Sequence, residues 1–338
     1  VTRESTHDDV YGRTFALYDR DQLLAFMQPF VDRFVANQLD AAALFRGRRC
    51  LDAGCGGGRG TLFMLKHGAA HVTAFDFSAR NVETTRKNAG EFGYNNVDVQ
   101  QGTLEQLPFA DASFDVIWCN GVLQHAANPE ACLDELARVL KPNGRAWIYV
   151  YGAGGVYWYA VRHFRAWFRD VDSEQLISIL QLAGLEPRYV AEYLDDWKVS
   201  YLRAYRAEPV TARLRELGFA KVAALPAGVP YDTNHRNTKW PSERPWLGEG
   251  DLRFLVEKSA TPTTERTPLG GDDCFDDGAF APEVHARYGG AFEAIGQAVA
   301  GRPVVAALAA ARIQRAIRDR FSLAVPLDND AISAELEA

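Results

Sequence analysis

The stretch Asp52-Ala53-Gly54-Cys55-Gly56-Gly57-Gly58-Arg59-Gly60 constrains this chain more than any other. A basic, strand-prone lead-in, Arg48-Arg49-Cys50, reaches a carboxylate, turns through glycines and enters the helical pattern Thr61-Leu62-Phe63-Met64-Leu65-Lys66. Such a strand–turn–helix offers bare backbone N–H groups and the positive end of a helix to a nucleotide-like ligand. The glycine register narrows the choice. A dinucleotide fingerprint needs glycine at the first, third and sixth positions. From Gly54 the sixth is Arg59, from Gly56 it is Thr61, from Gly58 it is Phe63, and from Gly57 the third is already Arg59. The phosphate-cradling Gly-x-x-x-x-Gly-Lys-Ser/Thr loop fails too, because no Gly-Lys pair occurs here. Asp-x-Gly-x-Gly-x-Gly does fit, filled by Asp52, Gly54, Gly56 and Gly58.

The segments that follow agree in order. Ala70 to Asp76 reads as a short buried strand ending in an acid, about 20 residues beyond the glycine loop, where a doubly wound sheet carries its ribose-binding carboxylate. Asp76 is expected to accept from both ribose hydroxyls; the alternative, an N-cap for the helix starting near Ala79, can be served by Ser78. Val97 to Phe109 comes next, then Phe114 to Asn120, an apolar run typical of a covered parallel strand. Pro129 to Lys141 is expected as an amphipathic helix closed by Pro142-Asn143-Gly144, and Arg145 to Val150 as the strand after it.

With Leu107-Pro108-Phe109, Phe114-Asp115 and Leu140-Lys141-Pro142-Asn143-Gly144 added to the glycine loop, residues 48–150 resemble the class I S-adenosylmethionine-dependent methyltransferases, in their ubiquinone-biosynthesis-like branch. The resemblance implies an α/β fold, a Rossmann-like doubly wound seven-stranded sheet with helices on both faces. It implies S-adenosylmethionine as cofactor, with S-adenosylhomocysteine as product. The cofactor carries no phosphate, so the loop need only let an amino acid and a ribose lie against backbone. Carried onto this sequence, the cofactor contacts are Tyr11, Asp52, Gly54, Gly56, Asp76, Phe77, Thr103, Leu104 and Asn120. The branch usually has an acid after the residue matching Gly102; here Thr103, the Leu104 backbone or Glu105 takes over the adenine amino group.

Around this core the chain divides further. Residues 1–47 are expected as an N-terminal lid, with an amphipathic helix over Asp21 to Leu39 and with Tyr11, then Tyr18, as the aromatic brought near the methyl group. Both tyrosines can equally serve to pack that helix. Residues 151–217 read as a helical cap inserted after the fifth strand, in which Tyr151, Tyr157 and Trp158 follow a glycine hinge. Its later helical patterns are Ser173 to Leu182 and Tyr201 to Leu217, separated by Tyr193-Leu194-Asp195-Asp196-Trp197, whose acids can grip a cationic or hydroxylated substrate or cap a helix. Residues 218–258 return to the sheet, with strands at Gly218–Val222 and Leu252–Lys258 flanking a long polar loop that offers His235, Arg236 and Glu249 to a substrate. Residues 259–338 form a linker and a tail of two helices, suited to covering the domain or pairing subunits, so a homodimer is an open expectation.

A methyl group on sulfur is already activated, so the protein must chiefly align the acceptor and exclude water. A base is required only for an acceptor protonated at working pH. His125, just past the fourth strand, and His235 are the imidazoles placed for that role. A formal charge of −7 and a pI near 5.6 argue against a nucleic-acid footprint. No apolar run is long enough to span a bilayer, and Val1-Thr2-Arg3-Glu4 has no signal-peptide pattern. Cys50, Cys55, Cys119, Cys132 and Cys274 form no Cys-x-x-Cys pair, which points to free thiols in a reducing cytoplasm and no metal. The expected activity is O- or N-methylation of a small molecule. A peptide or protein acceptor, or a non-catalytic S-adenosylmethionine-binding protein, are the alternatives.

Overall fold

A computed structural model describes residues 10–229, 232, 238–239, 244–271 and 282–319. Among them seven strands form one sheet: β1 (Arg49–Ala53), β2 (His71–Asp76), β3 (Val97–Gln101), β4 (Phe114–Asn120), β5 (Leu140–Tyr151), β6 (Phe219–Ala224) and β7 (Asp251–Lys258). Their spatial order is β3-β2-β1-β4-β5-β7-β6, with β7 antiparallel to both neighbours and the other pairings parallel. The order reverses between β1 and β4, so the crevice for a ligand opens at the carboxyl ends of those two strands.

Strand alternation builds the two faces. On one, Cys50, Val116, Trp118 and Trp147 lie beneath α2 (Arg20–Ala36), α3 (Ala41–Phe45) and α4 (Arg59–Lys66). Register partners Trp118 and Trp147 stack there with ring centroids 4.7 Å apart, and Phe30, Phe34 and Phe63 complete the aromatic layer. On the other, Leu51, Ile117, Cys119 and Ile148 meet α6 (Pro129–Val139) and α10 (Ala207–Glu216). Helix α2 starts at a capping box, in which Asp19 accepts from Gln22 N–H and the Gln22 side chain accepts from Asp19 N–H. Ser78, not Asp76, caps α5 (Ala79–Glu91).

Several boundaries differ from the sequence-based expectation; α10 begins at Ala207 rather than Tyr201, residues 201–206 being non-helical, and α2 ends at Ala36 rather than Leu39. Helix α6 stops at Val139 and β5 begins at Leu140, so Lys141-Pro142-Asn143-Gly144 lies within the strand. The ladder absorbs it as a register shift between Leu140, opposite Phe114, and Arg145, opposite Val116, and Asn143 takes φ of 61°. Tyr193-Leu194-Asp195-Asp196-Trp197 is no spacer. It is the end of a full helix, α9 (Pro187–Lys198), whose Val190, Leu194 and Trp197 are buried at helical spacing.

The cap has its own core. Helices α7 (Gly155–Trp167), α8 (Ser173–Leu182) and α9 pack with the last two helices, α11 (Pro282–Val299) and α12 (Pro303–Asp319), around Trp158, Phe164, Leu180, Trp197, Phe292 and Ala307. One fully buried amide joins the tail to the cap: Gln314 donates to Asp196 Oδ2 (2.5 Å) and to the Tyr157 hydroxyl (2.8 Å), and accepts from Trp197 Nε1 (2.7 Å). No described helix is long and apolar enough to cross a membrane.

Candidate functional site

The glycine loop runs from β1 into α4 at the switch point. Gly58 holds φ of 86° as the N-cap of α4, a left-handed conformation that side chains resist. Gly54, at φ of 81°, lies so close to Val122 that a Cβ would come within 2.5 Å of a methyl carbon. Asp76, buried at the end of β2, ties the loop down: its Oδ2 accepts from Gly56 N–H (2.9 Å) and its Oδ1 from Ser78 N–H (3.0 Å) and the Asn81 amide (3.1 Å). Thr85 and Asn88 on α5 donate to the carbonyls of Gly56 and Gly57, each at 2.8 Å. The loop is thus set by side chains from one helix and one strand end.

Asp52 supports this loop from beneath. Its Oδ2 accepts from the Thr61 hydroxyl at 2.6 Å. Burial pushes its carboxyl up to about 7, although the Thr61 hydroxyl and N–H act the other way. A carboxyl raised on folding contributes stability below its unfolded value, near 3.9, and loses it as pH rises through about 7. Melting temperature should therefore fall between pH 5 and pH 8 in the wild type. Asp52→Asn, which keeps an oxygen for Thr61, should remove most of that fall, worth at most about 3 kcal/mol over this interval. Equal pH slopes in the two proteins would contradict the assignment.

The first described segment, a short helix α1 over residues 10–15, lies across the loop: a Cβ on Gly56 would meet the Phe15 ring at 2.8 Å, and one on Gly57 would meet Phe15 Cβ at 3.3 Å. The ring of Tyr11 stacks on Phe15 (5.7 Å) and meets His125 edge-on (5.5 Å). Its hydroxyl donates to Asp195 Oδ1 on α9. Tyr151, at the end of β5, donates to Asp195 Oδ2 (2.5 Å) and meets His125 edge-on at 5.6 Å. His125 sits in a short 3-10 turn after β4, Nδ1 3.1 Å from the Tyr201 carbonyl and Nε2 3.3 Å from Asp195 Oδ1. Burial lowers its pKa below the usual imidazole value; Asp195 and the Tyr201 carbonyl oppose this, while Arg165 and Arg203 add to it. The ring is neutral at neutral pH and able to take a proton.

The other residues singled out from sequence are placed as follows. Thr103 accepts from Glu105 N–H (3.3 Å), Leu104 is buried and Phe77 is exposed. Glu105 accepts from Asn128 N–H (2.7 Å), and Asn120 Oδ1 accepts from Trp147 Nε1 (3.0 Å). Tyr18 stacks on Phe26 at 5.2 Å, with its hydroxyl buried and unpaired. Tyr157 is buried in the cap, donating to Asp196 Oδ2 (2.5 Å); Trp158 Nε1 donates to the Gly152 carbonyl (2.8 Å), its ring 5.2 Å from Tyr151. Glu249 accepts from Ala207 N–H (3.0 Å), at the start of α10. His235 and Arg236 lie outside the described residues. Cys50, Cys55, Cys119 and Cys132 are buried free thiols, Cys274 is not described, and no group of three metal-binding side chains occurs among the described residues. The sequence does not single out Phe15, and it marks Asp195 only as one of two acids beside a tryptophan; the place of Asp195 against Tyr11, Tyr151 and His125 appears in the fold. The apolar spacing of α9 is the signal that places Asp195 on a buried helix.

Residues 51–148 match a family model described as a methyltransferase domain. The chain is 43% identical to the ubiquinone biosynthesis O-methyltransferase of Maricaulis maris over 101 residues, 30% of this chain and 39% of that protein. It is 30% identical to the demethylmenaquinone methyltransferase of Clavibacter sepedonicus over 191 residues, 56% of this chain and 73% of that one. Of the first of the ubiquinone enzymes it matches, it spans less than half the length, 39% to 46%. Among solved structures it is similar to the YcgJ protein of Bacillus subtilis (TM-score 0.43, 22% identity, 65% of this chain and 99% of that one). The glycine loop, the seven-stranded order, the methyltransferase-domain match and the Clavibacter relative together establish that the chain belongs to the class I S-adenosylmethionine-dependent methyltransferases, in their ubiquinone-biosynthesis-like branch.

Proposed function

We propose that this chain transfers a methyl group from S-adenosylmethionine to an oxygen or nitrogen of a small molecule, held between α1, the carboxyl ends of β4 and β5, and the cap. The observation that carries the reading is the Asp76–Gly56 bond at the switch point, facing a cluster that contains a neutral imidazole. The residues fit the cofactor: bare backbone at Gly54 and Gly56, an acid ending β2 and an aromatic segment over the loop match an amino acid, a ribose and a base. Asp76 would hold the ribose, Thr103 and Leu104 would border the adenine, and Gly54, Gly56 and Asn120 would border the amino acid part. When bound, S-adenosylmethionine supplies the methyl on a sulfonium, its C–S bond breaking as the bond to the acceptor forms. The chain's own work is to align the acceptor, keep water out and take up the acceptor's proton at His125 Nε2. Two relatives named as quinone-pathway methyltransferases support a small-molecule acceptor.

Asp76→Ala tests the cofactor half of this reading. The substitution strips Gly56 N–H, Ser78 N–H and the Asn81 amide of a charged partner. It also removes the acceptor proposed for the ribose, and one hydrogen bond to a charged group contributes about 1.5–3 kcal/mol, so S-adenosylhomocysteine affinity should fall by roughly 10- to 100-fold in calorimetry. A variant that binds as tightly as the wild type would remove Asp76 from the site.

A further inference from the structure

Asp195 belongs to the cap, outside the segment that matches the family model, yet it meets three side chains from three other elements of the fold. Tyr11 comes from α1, Tyr151 from the end of β5, and His125 from the turn after β4. We propose that Asp195 is a positioning residue that makes His125 the proton acceptor for a hydroxyl-bearing substrate, the two phenols fixing its carboxylate beside the ring. The proposal rests on the methyl-transfer reading above.

The proton inventory of the ring carries it. Nδ1 faces the Tyr201 carbonyl at 3.1 Å, and a carbonyl only accepts, so the proton of the neutral imidazole is assigned to Nδ1. Nε2 then presents a lone pair 3.3 Å from Asp195 Oδ1, itself an acceptor. A lone pair this near a carboxylate oxygen is disfavoured, and one proton added at Nε2 turns the contact into an ion pair. The pair is therefore built to gain one proton. In the step proposed, the acceptor's O–H bond breaks, an Nε2–H bond forms, and the O–H electron pair stays on oxygen as the nucleophile. The proton remains between Nε2 and Oδ1 until the ring returns it to solvent.

The charged and titratable groups around the ring come from every neighbouring element. Asp195 on α9 favours the imidazolium, whereas Arg165 on α7 and Arg203 after α9 oppose it. Tyr11 and Tyr151 reach the ring edge-on and spend their hydroxyl protons on Asp195, which weakens its pull on the ring. Removing the acid and removing a phenol should therefore act in opposite directions.

The test is an NMR titration of the His125 imidazole in the full chain with S-adenosylhomocysteine added, the signal assigned by its loss in His125→Gln. In Asp195→Asn the midpoint should fall by about 1–3 pH units, the size of an adjacent opposite charge. In Tyr151→Phe it should rise, by less than about one unit, because the carboxylate loses a donor. Equal midpoints in the wild type and Asp195→Asn would overturn the proposal, as would shifts of the same sign in the two variants. If Asp195→Asn does not fold, Tyr151→Phe decides: a midpoint that stays or falls rejects the proposal. Wild type that binds no S-adenosylhomocysteine would sink the methyl-transfer reading itself. Binding with an unmoved midpoint sinks only the role given to Asp195.

Discussion

Replacing His125 with glutamine should lower methyl transfer by about 10²- to 10⁴-fold, the range that a positioned general base contributes. Glutamine can still donate to the Tyr201 carbonyl, so the turn after β4 keeps its anchor while the Nε2 lone pair is lost. S-adenosylhomocysteine affinity should stay within the same order of magnitude. The measurement is release of S-adenosylhomocysteine against pH, with hydroxylated aromatic acceptors that the wild type turns over. Burial holds His125 below its usual 6.5, so the wild-type rate should climb through a midpoint under that value and level off by neutral pH. Glutamine at this position should abolish the climb as well as the rate. A loss smaller than about tenfold, with the pH dependence intact, would assign His125 to packing.

The second large effect concerns stability. Asp232 is buried between two arginines: it accepts from Arg33 Nε at 2.8 Å and from the Arg33 terminal nitrogen at 2.5 Å, and lies 3.3 Å from Arg253. This carboxylate connects α2 to β7 across the residues between the last two strands. Asp232→Ala would leave two guanidinium groups buried with one shared partner gone, and such a break costs about 3–5 kcal/mol. Adding Arg33→Met to that variant should recover part of the loss, because the orphaned charge is then removed too. Burial alone would push Asp232 up; Arg253 and Arg33 outweigh it and hold the carboxyl below its ordinary value. A depressed carboxyl contributes stability above its unfolded value, near 3.9, and loses it as pH falls through the folded value. Urea unfolding should therefore weaken in the wild type below about pH 4, with a smaller change in Asp232→Ala. If the variant matches the wild type at neutral pH, the ion cluster does not hold these elements together.

Local features were legible in the chain. The glycine loop and the acid ending β2 lie within 20 residues of each other, and their spacing alone identifies a strand–loop–helix joined to the next strand. His125 was legible because it follows an apolar strand whose carboxyl end must open on the crevice. Asp195 was not: Tyr11 and Asp195 are 184 residues apart, and nothing in either neighbourhood names the other. Its helix was overlooked because two adjacent acids and a tryptophan resemble a junction until the buried series Val190, Leu194, Trp197 is counted. The tail likewise showed only an amphipathic pattern. That it completes the cap core depends on Gln314 meeting Tyr157 across 157 residues. Glu249 reads in sequence as a polar arm of a loop, whereas its carboxylate meets the first N–H of α10, a pairing set by the return of the chain to the sheet. Sequence thus exposes chemistry that is local to one turn, and conceals chemistry assembled by packing.

Calorimetric titration of the wild-type chain with S-adenosylhomocysteine tests the central claim most directly. Saturable binding at one molecule per chain is the predicted result, and it would establish the glycine loop as a cofactor site and justify an acceptor screen. No heat of binding with either S-adenosylhomocysteine or S-adenosylmethionine, from protein that melts cooperatively, would contradict the assignment of that loop.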